Sequence, residues 1–187
     1  MWPWGHLAVG YVCYSLLVRL RWGRAPGDVA ALAAALGTQF PDLIDKPLAW
    51  SLGVLPSGRS LAHSLLTAAL VIAVMGLYCR RRERSTLAAA FGVGYLSHLL
   101  ADALSPLLGG EYVYLSFLAW PLTPPPPYGD EGGFLSHFAG IEFTLFFLVQ
   151  IGLLLSVFLL WVLDGAPGLE PVRSLPERLA RRADLDR

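Results

Sequence analysis

Residues 94–106, GYLSHLLADALSP, decide what kind of chain this is. The run is apolar enough to read as membrane-buried, yet it carries His98 and Asp102 four residues apart. In a helix that spacing puts both side chains on one face. An ionisable pair at such depth is costly and is kept where it has work to do. Imidazole and carboxylate at i, i+4 also allow one helix to supply two ligands to a single metal ion.

The rest of the chain agrees with a lipid solvent. Of its 187 residues 55% are hydrophobic, and the mean hydropathy is +0.54. That composition makes a poor soluble domain and a natural small membrane protein. The expected fold is all-α: a polytopic integral membrane helical bundle of about five segments, the second short or broken. Residues 1–163 form its single domain, and residues 164–187, rich in Pro, Arg and Asp, read as a polar tail. Basic and acidic residues balance at 14 each, with Lys46 the one lysine, so no bulk field recruits nucleic acid. Cys13 and Cys79 lie in apolar runs without CxxC spacing and read as packing. The start of the chain lacks a basic region and a small-residue cleavage site, so its first apolar run reads as a retained span.

Five segments follow one another. Residues 7–20 end among Arg19, Arg21 and Arg24, with Trp2, Trp4 and Trp22 suited to the two interfaces. Asp28 is the expected N-cap of the Ala-rich run 29–36, which should stop at Pro41. Residues 61–79 run into Arg80, Arg81, Arg82 and Arg84; residues 87–108 carry the opening pair; residues 138–163 are the last span. With the arginine clusters cytoplasmic, the N-terminus lies outside and the C-terminus inside. His6, the stretch from Pro41 to Asp45, His63, His98 and Asp102 then gather at the outer face.

The individual candidates carry different weight. Asp42 and Asp45 stand three apart between Pro41 and Pro47. Asp beside Pro is ordinary turn chemistry, but a broken helix at membrane depth is tolerated where it lines a cavity. Lys46 is expected to pair with Asp45. Arg59, four residues before His63, either snorkels to the interface or offers a guanidinium fork to a phosphate or a developing oxyanion. His6 gains weight from convergence alone. His137 has no partner at ligand spacing, and Glu142 is either interfacial or an orienting carboxylate. The proline run 124–127 and residues 111–118 could together form a lid. GxGxxG, Walker A, GxSxG and HExxH patterns are all missing, which disfavours nucleotide binding, serine hydrolysis and zincin chemistry.

In this order Gly5-His6, Pro41-Asp42 with Asp45, Arg59 with Ala62-His63-Ser64, and Gly94-Tyr95-Leu96-Ser97-His98 with Ala101-Asp102 resemble the YdjM family, the DUF457 group of predicted membrane-bound metal-dependent hydrolases. The resemblance runs to about Pro121 and is strongest in residues 94–106. Two departures stand out. Leu43 and Ile44 separate carboxylates that the family commonly spaces by one residue, and Gly58 precedes Arg59 where the family often has histidine. The resemblance implies a divalent metal, zinc first and manganese as the alternative, held by His6, Asp42, His63, His98 and Asp102. It makes Asp45 a ligand or the general base and gives Arg59 the anionic substrate. It also implies an amphipathic or lipid-linked substrate at the outer leaflet of a prokaryotic plasma membrane. A non-catalytic protein using the same residues as a structural metal site, or as a proton or cation pathway, is the competing expectation.

Overall fold

The computed structural model describes residues 1–129 and 132–170. They form six α-helices: α1 (Pro3–Trp22), α2 (Asp28–Lys46), α3 (Leu65–Arg81), α4 (Ser85–Gly109), α5 (Phe134–Ala139) and α6 (Leu145–Leu163). A π-helical turn, Pro47–Ser51, extends α2, and a 3-10 segment, Tyr112–Ala119, follows α4. No strand occurs among the described residues.

Local chemistry sets most of the boundaries. Pro3 opens α1 at a position where its missing N–H is no loss, and Gly23 closes it with φ 64°. Ser64 caps α3 by accepting from the Leu66 N–H, and Thr144 caps α6 by accepting from that of Phe147. Gly110, at φ 71°, ends α4.

Three expectations are corrected. First, α2 does not stop at Pro41 but continues to Lys46. An internal proline costs about 3 kcal/mol. Against that, the Asp45 carboxylate, held in place by the continued helix, accepts four N–H bonds from residues 60–63. Each bond to a charged group contributes about 1.5–3 kcal/mol, so tertiary bonding outweighs the local defect. Second, Gly27 is the N-cap of α2, and Asp28 is its first helical residue. The Asp28 carboxylate instead accepts from the Gly168 N–H at 2.7 Å, tying the chain after α6 to the start of α2. Third, the segment 138–163 is not one helix, because Gly140 closes α5 and Thr144 starts α6. Glu142 falls in that break and is exposed.

Two helices, α4 and α6, are long and apolar enough to cross a membrane. They are placed differently in the bundle. α4 lies in the centre, packed against α1, α2 and α3. α6 packs chiefly on α1 and leaves Leu148, Leu155, Phe158 and Leu159 more than half exposed. In water such a face would be a liability. The short α3 has 17 residues because residues 61–64 belong to the turn before it.

The centre of the bundle is a crossing of small residues. A Cβ added at Gly37 of α2 would lie 2.2 Å from the Phe91 carbonyl oxygen of α4, and one at Gly94 would lie 2.1 Å from that of Ala34. At Gly10 of α1 it would meet Thr38 Cγ2 at 2.0 Å. Such close approach is how helices associate where no hydrophobic effect drives them together. At the other end, the buried Asp164 carboxylate accepts from Tyr11, Ser15 and Arg19, holding α6 to α1.

Replacing Gly94 by Ala is expected to cost about 1–3 kcal/mol through overpacking, seen as a lower thermal unfolding midpoint in detergent. Gly76→Ala, where an added Cβ meets nothing within 4 Å, should leave the midpoint unchanged or raise it.

Candidate metal centre

Four parts of the chain converge on one end of the bundle. α1 contributes His6 from its first turns, α2 contributes Asp42 and Asp45 from its last, the turn before α3 contributes His63, and the second half of α4 contributes His98 and Asp102. All six are buried, with His63, His98 and Asp45 fully so. Arg19, Arg80 and Arg81 lie in the last turns of α1 and α3, at the opposite helix ends from His6 and His63.

The outer nitrogens of two imidazoles are committed. His98 Nδ1 lies 2.6 Å from the Thr38 carbonyl oxygen, which can only accept, so Nδ1 carries the proton. His63 Nδ1 lies 2.8 Å from Asp45 Oδ2 and donates in the same way. In the neutral form of both rings each Nε2 carries a lone pair, and the two atoms face each other at 3.0 Å. Asp42 Oδ1 lies 3.5 Å from the first and 3.8 Å from the second. Asp102 Oδ2 lies 3.6 Å and 3.7 Å from them. With both rings neutral, two imidazole nitrogens and two carboxylate oxygens converge on one point, a donor set that a cation among them would satisfy.

His6 stacks on His98 with ring centroids 3.7 Å apart and brings Nε2 to 3.3 Å from Asp102 Oδ1. Its buried Nδ1 has no hydrogen-bond partner. Asp42, His63 and His98 form one group of metal-ligand geometry, and His6, His98 and Asp102 form a second sharing His98. The donor set, imidazole nitrogen with carboxylate oxygen, suits zinc and admits manganese.

Asp45 is placed differently from the other carboxylates. The continuous helix keeps Asp42 and Asp45 on one face, and they meet opposite edges of the His63 ring, Asp42 Oδ1 3.5 Å from Nε2 and Asp45 Oδ2 2.8 Å from Nδ1. Asp42 faces the imidazoles; Asp45 accepts from the Ser60, Ala62 and His63 N–H groups at 2.9, 2.8 and 3.1 Å. Lys46 pairs with Asp42 at 2.7 Å, one turn away on the same helix, and not with Asp45 as expected. Burial works against a charged His63, yet the Asp42 and Asp45 carboxylates outweigh it and raise its pKa.

Arg59 sits in the loop before α3. It grips Asp102 through Nε to Oδ2 at 2.7 Å and Nη2 to Oδ1 at 3.2 Å. Its Nη1 donates to the Tyr128 hydroxyl at 3.2 Å. Burial disfavours its charge, but Asp102 and then Tyr128 hold its pKa above the ordinary guanidinium value. The amino group of Met1 also donates to Asp102 Oδ1 at 2.8 Å.

The segment after α4 covers this end. Phe117, fully buried, sets its ring edge-on to His63 at 6.1 Å. Ser64 Oγ donates to the Trp120 carbonyl at 2.5 Å, and Tyr114 stacks on Tyr128. His137 lies in α5, with its side chain outside those described, and most of the tail (171–187) is also outside the described residues.

Sequence reasoning missed the roles of four residues. The Thr38 carbonyl belongs to the backbone and leaves no mark in residue type. Tyr128 is separated from Arg59 by 69 positions in the chain. Gly37 and Gly94, which bring Thr38 and His98 together, did carry a signal, since small residues in apolar helices mark close crossings.

Comparison with known proteins adds one finding. No curated protein and no solved structure matches the chain significantly. A family model described as YdjM inner membrane protein matches residues 1–166, which include the whole centre. The chain therefore belongs to the YdjM inner membrane protein family.

Proposed function

We propose that the chain is a membrane-embedded metal-dependent hydrolase acting at the leaflet edge on a substrate with an anionic, phosphoester-like group. The observation that carries this reading is the facing pair of Nε2 atoms of His63 and His98, 3.0 Å apart between the Asp42 and Asp102 carboxylates. His6, Asp42, His63, His98 and Asp102 would hold the ion. A divalent cation there supplies a Lewis acid and an activated water near neutral pH.

The chain's own residues supply the remainder. Asp45 and the Thr38 carbonyl fix the tautomer and ring orientation of the two imidazoles, as the outer hydrogen-bond partners of metal-bound histidines do. With its oxygens occupied by N–H donors, Asp45 serves as an orienting group in this reading. Arg59, bidentate on Asp102 and half-open to a cavity of about 330 Å³, is placed to receive an anionic oxygen and to stabilise charge that grows on it. Phe117 and the stacked Tyr114 and Tyr128 shield this end from water.

The bundle sits in the prokaryotic plasma membrane with α1, α2 and α3 beside the two longer apolar helices. The arginine-bearing helix ends face the cytoplasm and the metal centre faces outward. A structural ion in a closed site remains the second reading, and it differs in one respect: Arg59 would then face no ligand.

Elemental mass spectrometry of detergent-purified protein should find stoichiometric zinc or manganese, lost in both His63→Ala and His98→Ala. Asp45→Asn should weaken metal affinity by about 10–100-fold without abolishing it. Wild-type protein that stays folded yet refuses added zinc and manganese would end the metal reading. Arg59→Met should retain metal while lowering kcat/KM on a phosphoester by about 100-fold or more; unchanged turnover would remove Arg59 from substrate binding and favour the structural ion.

A further inference from the structure

Three cavities follow one another along a single side of α2. The first, of about 330 Å³, opens beside the metal centre and is lined by Lys46, Trp50, Arg59 and Tyr128. The second, of about 140 Å³, shares Lys46 and Trp50 with it and passes Asp42 to reach Leu43 and Gln39. The third, of about 380 Å³, begins one turn further along both helices, at Leu7 of α1 and Ala35 of α2, and is walled by Val157 and Phe158 of α6. Pro3 and Leu7 are i, i+4 neighbours on α1, as Ala35 and Gln39 are on α2, so the second and third cavities lie on successive turns of the two helices without sharing a lining residue. Gln39 donates to the Pro3 carbonyl at 3.2 Å and bridges the helices at that joint.

The chemistry changes along this seam. Its mouth presents two cations, each set over an aromatic ring: Lys46 Nζ is 5.4 Å from the Trp50 centroid, and Arg59 Cζ is 5.5 Å from that of Tyr128. Both cations are also paired with carboxylates of the centre, Asp42 and Asp102. The far end is lined by Leu, Ala, Val, Phe and Trp side chains, with Tyr11 beside them. Between Lys46 and Leu32 the helix advances about 21 Å at 1.5 Å per residue. One leaflet of hydrocarbon is about 15 Å deep, half the core of a bilayer. A mouth with two cations, each shared with a carboxylate of the centre, and an apolar trough that begins at Ala35 within that length match a molecule with an anionic head and one long tail.

We infer that this seam binds a membrane lipid, its phosphoester head between Lys46 and Arg59 and an acyl chain laid along α1 and α2 to reach α6. The inference rests on the hydrolase reading for the placement of the scissile bond beside the metal centre; binding itself requires no turnover. Lys46 thereby becomes a head-group residue, and Ala35 and Leu7 set which tails fit.

The test uses the full chain in phosphatidylcholine vesicles doped with phosphatidic acid carrying a diazirine in its tail, compared with diacylglycerol bearing the same tail. After irradiation, peptides containing Ala35 and Phe158 should carry the phosphatidic acid label at least tenfold above the neutral probe. Ala35→Phe, which fills the trough, should reduce that label about tenfold, and Lys46→Met should bring it down to the level of diacylglycerol. Equal labelling by both probes would show bulk lipid without head selection and overturn the proposal. Labelling of the seam by neither probe, or labelling indifferent to Ala35→Phe, would overturn it as well. Selective labelling without hydrolysis of any phosphoester would leave the lipid path standing and remove the hydrolase reading. Turnover of a soluble phosphoester with unselective labelling would do the reverse.

Discussion

Helices α2 and α4 touch backbone to backbone at Gly37 and Gly94, and the geometry of the whole centre follows from that contact. With side chains at these positions the axes would stand further apart, and the Thr38 carbonyl could not lie 2.6 Å from His98 Nδ1. That bond decides which nitrogen of His98 carries the proton and where its other nitrogen points. Gly10 extends the same logic to α1, letting His6 come down onto the His98 ring. Close packing of small residues thus performs in the bundle what specific side-chain contacts perform elsewhere: it sets distances to a few tenths of an ångström.

A second constraint works on the loop. Residues 52–64 form neither helix nor strand, yet they must present Arg59 and His63 accurately. Asp45 accomplishes this by gathering N–H groups from Ser60, Ala62 and His63 around one carboxylate. A buried charge is affordable when hydrogen bonds replace its water, and four of them do. The same carboxylate therefore organises the backbone, orients the His63 ring and keeps α2 helical beyond Pro41. At the opposite end of the bundle Asp164 plays a comparable part for α1 and α6.

Much of the centre was legible from residue type and spacing. His98 and Asp102 declare themselves because an i, i+4 imidazole and carboxylate have no cheap reason to lie in an apolar helix. The arginines at helix ends made it reasonable to expect His6, Asp42 and His63 at the same end, and the structure brings them together. The errors share one cause. Pro41, Asp28 and the unbroken segment 138–163 were read from local rules for proline, caps and apolar runs. In each case a contact from a distant part of the chain, or a glycine break, outweighed the local preference.

The amino-acid sequence by itself determined the helical class, the apolar medium, the family and the identity of the ionisable residues at one end of the bundle. These are properties of composition, period and order, and they survive without knowledge of any contact. Only the tertiary structure decided what each residue does. It distinguished Asp42, which faces the Nε2 atoms, from Asp45, which accepts from His63 Nδ1 and three backbone N–H groups, and paired Lys46 with Asp42. It also joined Arg59 to Tyr128 and drew an apolar seam from the polar mouth to α6. The reason is physical: the role of a carboxylate or an imidazole is set by which partners lie within about 3 Å of it, and in this centre such partners come from as far as 101 positions away in the chain.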